Sequence, residues 1–158
     1  MNVVIKPPET DEELRGRAWV HWKAWHEAYT GMIDPGYLAK HTLERRLESA
    51  FAWRDRCLVA KDGGRVVGFA SFGPARDEGP ETGEIYAMYA LAEYWGAGVG
   101  ARLMEAALDE LGAYPRVCLW TLKENARAIR FYEKHGFQAD GAEKRLDALA
   151  ADVIRMMR

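Results

Sequence analysis

Cysteine is scarce in this chain: 158 residues hold two, Cys57 and Cys118. Neither sits at metal-ligand spacing, so both read as reduced thiols inside strands rather than as a disulfide or a zinc site, the usage expected of a cytoplasmic protein. Long apolar runs are missing too; none approaches the ~20 residues that cross a bilayer. The N-terminus MNVVIKPPET has one lysine, a three-residue apolar patch and two prolines, which is not the pattern of a secretory signal. There is no excess of basic charge. Lys and Arg number 22 against 24 Asp and Glu, a formal net charge of −2, so no electrostatic footprint for nucleic acid or an anionic membrane is expected. Repeats, linkers and low-complexity segments are absent. What remains is ordinary for a globular chain, 49% hydrophobic and 29% charged residues. The length is one domain's worth over residues 1–158, enough to bury roughly 70% of the surface that the unfolded chain exposes.

The most informative stretch runs from Gly83 to Leu111. An apolar, aromatic-rich run from Ile85 to Leu91 predicts a central strand. Ala92-Glu93-Tyr94-Trp95 follows, then three glycines at alternate positions, Gly96, Gly98 and Gly100. From Ala101 to Leu111 the apolar residues Leu103, Met104, Ala107, Leu108 and Leu111 recur at helical steps. The reading is strand, glycine-rich turn, helix. Such a turn is an anion site: the first amides of a helix lack intrahelical partners, and its dipole puts partial positive charge there. Glycines let the backbone take positive φ and approach a bulky ligand, and a phosphate or pyrophosphate is the natural occupant.

Two ligand classes match the spacing. Gly96-x-Gly98-x-x-Ala101 satisfies a dinucleotide fingerprint. That fingerprint requires an acid at the end of the next strand, where this chain has Trp120-Thr121-Leu122-Lys123. The other match adds Asn125-Ala126-Arg127-Ala128-Ile129-Arg130-Phe131-Tyr132-Glu133-Lys134-His135-Gly136-Phe137 to the stretch from Glu84 to Ala101. In this order the two segments resemble the GCN5-related N-acetyltransferases. The resemblance covers residues 84–137 closely and the flanks more loosely. It implies an α/β (α+β) fold with a mixed, mostly antiparallel sheet of six or seven strands, flanked by about four helices.

It also implies a function: transfer of an acetyl group from acetyl-CoA, with no metal, to a primary amine by direct attack in a ternary complex. The acceptor it allows is a small-molecule amine or a protein N-terminus or lysine; pairing into a homodimer is a further family expectation. The alternative within the same fold is a non-catalytic acyl-CoA-binding sensor. One departure is plain: Trp95 stands where the family more often has Gln or Arg.

The remaining elements follow from local signals. Val3 to Lys6 reads as a strand stopped by Pro7-Pro8. Thr10 or Asp11 caps a helix with Asp11-Glu12-Glu13 in its first turn, and its apolar row is Leu14, Ala18, Trp22, Trp25 and Tyr29. Asp34-Pro35 opens a second helix carrying Leu38, Thr42, Arg45-Arg46 and Leu47. Trp19, Trp22 and Trp25 are expected to pack. Arg56 to Ala60 and Val66 to Phe72 form a hairpin around Asp62-Gly63-Gly64, with Gly68 marking a bulge or a close backbone approach. Gly73 to Thr82 is a polar loop, Val117 to Leu122 the fifth strand. Asn125 caps the last helix, which ends at Gly136. Phe137 to Asp140 and Asp152 to Met157 close the sheet; the alanine-rich stretch 142–151 reads as loop or helix.

Acyl transfer needs a proton taken from the amine, stabilisation of the carbonyl oxygen, and an acid for the thiolate. By resemblance, Tyr132 is that acid. Glu84, at the start of the central strand and on one face with Tyr86 and Met88 by alternation, is the general base. Amides of Tyr89, Ala90 and Leu91 are the expected oxyanion donors. The cofactor is expected on Trp95, Gly96, Ala97, Gly98, Val99, Gly100 and Ala101, with Asn125, Arg127 and Tyr132 beside it. Trp25, Glu27, Tyr29 and Tyr86 are expected to border the acceptor, and Asp34, Asp77, Glu78 and Glu81 are further acids that could meet a cationic one. His26 is an alternative base, although packing or capping suits it better.

Overall fold

The computed structural model describes residues 1–158. Seven strands make one sheet: β1 (Val3–Lys6), β2 (Cys57–Asp62), β3 (Arg65–Pro74), β4 (Thr82–Ala90), β5 (Arg116–Leu122), β6 (Gln138–Leu146) and β7 (Ala151–Met157). Their order across the sheet is β1-β2-β3-β4-β5-β7-β6. All neighbours are antiparallel except β4 and β5. Five helices accompany them: α1 (Asp11–Tyr29), α2 (Pro35–Ala39), α3 (Leu43–Ala52), α4 (Val99–Glu110) and α5 (Ala126–Lys134). None of them is long and apolar enough to cross a membrane.

Local chemistry fixes the ends. Thr10 and Glu13 form a complete capping box at the start of α1. Asn125 Oδ1 accepts from the Ala128 amide at 3.2 Å, and Gly136 takes φ +89° after α5, as a C′ glycine should. The two faces of the sheet are filled by α1 on one side and α4 on the other. Phe69 faces α1, touching His21 and Arg17. Its neighbour Gly68 faces α4; a Cβ there would lie 3.0 Å from the Tyr89 carbonyl and 3.1 Å from Leu103. Gly68 also adjoins a β-bulge, since Ala60 pairs with Gly68 and Lys61 with Val66. Both readings of that glycine hold.

Three expectations are corrected. The second helix is two helices, because Thr42 is extended and its hydroxyl accepts from the Arg45 amide at 3.3 Å, starting α3 afresh. Residues 142–146 are strand, since Glu143 to Leu146 pair with Ile154 to Ala151; a short 3₁₀ turn, Asp147–Leu149, follows. Sheet pairing there overrides alanine's helical preference. Trp19 does not pack as expected: it is 36% exposed. The buried face of α1 is instead built on Leu14, Arg17, Ala18, Val20, His21 and Ala24.

Candidate active site

The site begins with a defect in the central strand. Ser71 pairs with Ala87 and Phe72 with Ile85, so Tyr86 is an extra residue in β4. A bulge of this kind bends its strand and raises local twist. On the other side, β4 and β5 pair only from Thr82–Glu84 to Arg116–Cys118. Beyond those three rungs the strands diverge, and a cavity of about 340 Å³ opens between them. Its walls are Ile85 to Ala90 on β4, Leu119 to Thr121 on β5, Ala24, Ala28 and Tyr29 on α1, and Phe131 and Tyr132 on α5.

At one mouth lies the glycine turn. Gly96 and Gly98 have φ of +79° and +87°, and nothing lies within 4 Å of where a Cβ would be. The backbone NH groups of Gly98, Val99, Gly100 and Ala101 bond to nothing within the chain, while Arg102 N begins the ladder by bonding to Gly98 O at 3.1 Å. Four consecutive free donors at a helix start form a nest for an anion. Gly100 has a different job: a Cβ there would lie 3.3 Å from the Phe131 ring, so its absence lets α5 close on α4. Trp95 holds its own backbone neighbour, with Nε1–H donating to the Ala90 carbonyl at 3.1 Å. The Arg127 guanidinium lies 3.6 Å over the Trp95 ring, which keeps a cation at the mouth.

Deeper in, three phenols converge. Tyr29 and Tyr89 share a hydrogen bond of 2.9 Å. Burial, and then the neighbouring Tyr89, push the Tyr132 hydroxyl well above its ordinary range. At neutral pH Tyr132 therefore carries its proton. Cys57 and Cys118 are also buried, and burial pushes both thiols up to about 11. Neither is a thiolate at neutral pH.

The structure brings Tyr29, Tyr86, Tyr89, Ala90, Trp95, Gly96, Gly98, Gly100, Ala101, Asn125, Arg127 and Tyr132 to one cavity. Other expected site residues lie elsewhere. Leu91 is in the core with its amide on Val67 O at 3.0 Å, so it is not free as an oxyanion donor. Val99 offers its amide but buries its side chain. Trp25 stacks on His41 with centroids 3.9 Å apart. Glu27 Oε1 accepts from Ala92 N at 3.1 Å, tying α1 to the segment before the turn. His26 Nδ1 is engaged with Trp22 O at 2.8 Å.

Glu84 is 2% exposed and is not on the cavity wall. Its carboxylate accepts from Arg76 three times, Oε2 from Nη2 at 2.5 Å and Oε1 from Nε at 3.4 Å and from the backbone amide at 3.1 Å. The alternation that grouped it with Tyr86 fails because the bulge falls between Ile85 and Ala87. Tyr86 lines the cavity and donates its hydroxyl to Pro74 O. Sequence reasoning missed Ala24 and Ala28, Trp120 and His135 as wall residues. The two alanines had a signal, small residues one turn apart on a helix otherwise rich in aromatics; the other two had none.

Known proteins agree with this geometry. The family model described as "Acetyltransferase (GNAT) family" matches residues 18–137. An uncharacterised N-acetyltransferase of Archaeoglobus fulgidus is 34% identical over 120 residues, covering 70% of this chain and 79% of its own. The PaiA N-acetyltransferase of Thermoplasma acidophilum, solved in complex with coenzyme A, superposes with a TM-score of 0.73 at 19% identity over 98% of both chains. YncA of Salmonella typhimurium, solved with its cofactor acetyl-CoA, gives 0.75 at 19% identity over 100% of this chain and 94% of its own. The chain belongs to the GNAT acetyltransferase family and is an N-acetyltransferase.

Proposed function

We propose that this N-acetyltransferase moves the acetyl group of acetyl-CoA to a primary amine by direct attack within a ternary complex. The observation that carries this reading is one cavity with four free backbone amides at its mouth and a protonated tyrosine in its wall. The amides of Gly98 to Ala101 would hold the pyrophosphate, with Arg127 adding a positive charge beside it. Acetyl-CoA, when bound there, supplies an activated acyl group and a thiolate leaving group.

Tyr132 holds the proton that the leaving sulfur needs, and burial keeps that proton in place until then. Direct attack suits a chain whose two thiols are buried and protonated. Backbone amides of β4 past the bulge are the oxyanion donors in this reading. Glu84 serves as base only through a relay, since Arg76 occupies its carboxylate. A cytoplasmic small-molecule amine or a protein amine remains the acceptor class.

Thermal unfolding with acetyl-CoA, beside NADH, tests the donor site. A ligand at 100 times its Kd adds about 2.7 kcal/mol, a rise of about 5–10 °C for a chain of this size. Protection by NADH and none by acetyl-CoA would overturn the reading. For Glu84→Gln the pH–rate profile should lose its acid limb; an unchanged limb removes Glu84 from the mechanism.

A further inference from the structure

The junction of α1, α2 and α3 holds a second constellation that acetyl transfer leaves unused. Arg17, His21 and Trp25 stand one turn apart on α1, His41 follows α2, and Arg46 closes the first turn of α3. The rings are contiguous: Trp25 stacks on His41, and His41 meets His21 at 5.3 Å between centroids. His21 in turn lies against Tyr89 at 5.3 Å, and Tyr89 is the cavity wall. The cluster therefore backs directly onto the proposed reaction site.

Its hydrogen bonding is incomplete. Arg17, His21 and His41 are 3%, 8% and 6% exposed. Arg17 Nε, Trp25 Nε1, His41 Nε2 and Arg46 Nε are shielded from solvent and make no full hydrogen bond, the indole being turned toward the Tyr89 hydroxyl. Three of these four, the two guanidinium nitrogens and the indole, can only donate. No carboxylate faces them. Burial pulls both arginines below their usual range; the only other influences are Cys57 on Arg17, Tyr37 and Tyr89 on Arg46, and neighbouring arginines on each. Buried arginine is ordinarily kept with an acid. A water offers acceptor sites without charge, whereas a carboxylate or phosphate offers both and bonds guanidinium in its plane. Arg46 is only half-buried and so gives the way in, while Arg17, anchored on Ala50 O at 3.4 Å, lies at the closed end.

We propose that this junction binds the acidic group of the acetyl acceptor: the substrate is an amine that also carries a carboxylate or phosphate, its acid held by Arg46, His41 and Trp25 and its amine directed past Tyr89 into the cavity. This rests on the acetyl-transfer reading and narrows its acceptor class.

Two measurements test it. In the first, thermal unfolding is followed with acetate or inorganic phosphate against chloride at equal ionic strength, for the wild type, Arg46→Met and Arg46→Lys. Protection of several degrees in the wild type, smaller in Arg46→Lys and lost in Arg46→Met, is expected. An equal response in wild type and Arg46→Met overturns the proposal. In the second, thiol release is measured for paired amines, β-alanine against β-alaninamide and O-phosphoethanolamine against ethanolamine. The acid member of at least one pair should show kcat/KM at least tenfold higher, through KM, and Arg46→Met should cut that preference below twofold. The responsive pair tells carboxylate from phosphate. Turnover without preference in either pair overturns the proposal, while intact thiol release and acetyl-CoA protection leave the acetyl-transfer reading standing. Loss of acetyl-CoA protection from the wild type would instead strike at that reading.

Discussion

Helix α1 buries polar side chains at two places and treats them oppositely. Near its start, Glu13 accepts from Lys6 Nζ at 2.6 Å, from the Glu9 and Thr10 amides at 2.8 and 3.1 Å, and faces Lys61 Nζ at 3.1 Å. Burial works to raise that carboxyl, yet Lys6, the two amides and Lys61 together bring it down to about 2. One turn and more along, Arg17, Trp25 and their neighbours Arg46 and His41 bury nitrogens that make no full hydrogen bond. The first arrangement is complete and builds structure. The second, like the free amides at the start of α4, is incomplete within the chain and is where a ligand would complete it. A buried polar group with every bond made holds the fold; one left open marks a place for something else.

The comparison yields graded tests. Tyr132→Phe acts in the incomplete region and should cost about 10²-fold or more in turnover with little change in Tm or acetyl-CoA protection; a lost Tm instead would make Tyr132 a structural residue. Glu13→Ala acts in the complete one. It should cost roughly 2–3 kcal/mol through the lost cap and charged hydrogen bonds, about 5–10 °C in Tm, with kcat/KM per folded molecule unchanged. A changed KM would blur the distinction.

Gly98→Val forces a β-branched residue to φ +87°. The strain is about 1–2 kcal/mol, and it should appear as reduced protection by acetyl-CoA. The histidines give a pH test. Burial, then Arg46, then His41 hold His21 down to about 2; burial and Arg46, with a smaller push from His26 and against a hydrogen bond to the His21 backbone, hold His41 down to about 4. As pH falls below about 6.5 the unfolded chain takes up protons that the folded chain refuses. Stability is therefore whole above that pH and is lost progressively below it, the His41 share by about 4 and the His21 share on toward about 2, with Glu13 adding its own loss from about 4.5 downward. His41→Phe should flatten denaturant-derived stability across that window; an unaltered slope contradicts the burial of a neutral ring. Trp95→Gln is the mildest change. Releasing Arg127 from the indole removes about 0.5–1 kcal/mol, so acetyl-CoA affinity should shift only about two- to fivefold.

Much of the site was legible in sequence because its chemistry is local. The alternating glycines, the Asn125 cap and the position of Tyr132 are set by neighbours within a few residues, and they converge where the spacing said. Glu84 was legible as a residue but not as geometry, since one extra residue at Tyr86 undoes the parity from which its direction was inferred. The Arg17–His41–Arg46 cluster was invisible because its members come from two helices and the link between α2 and α3, and no pattern joins them. The same limit hid the strand at 142–146, whose partner lies across a turn in β7.

The three rungs between β4 and β5 have one more consequence. A sheet transmits order from strand to strand through its ladder, and here the ladder is nearly cut in the middle. Mechanically the protein is two slabs, β1 to β4 and β5 with β7 and β6, joined by a short seam and by the helices that straddle it. Anything lodged in the gap acts as a further strut between the two slabs, which otherwise meet through that seam and the packed core. Slow amide exchange in β5 and β7 should then depend on whether the gap is filled, whereas β2 and β3, inside an unbroken slab, should exchange at the same rate with it full or empty.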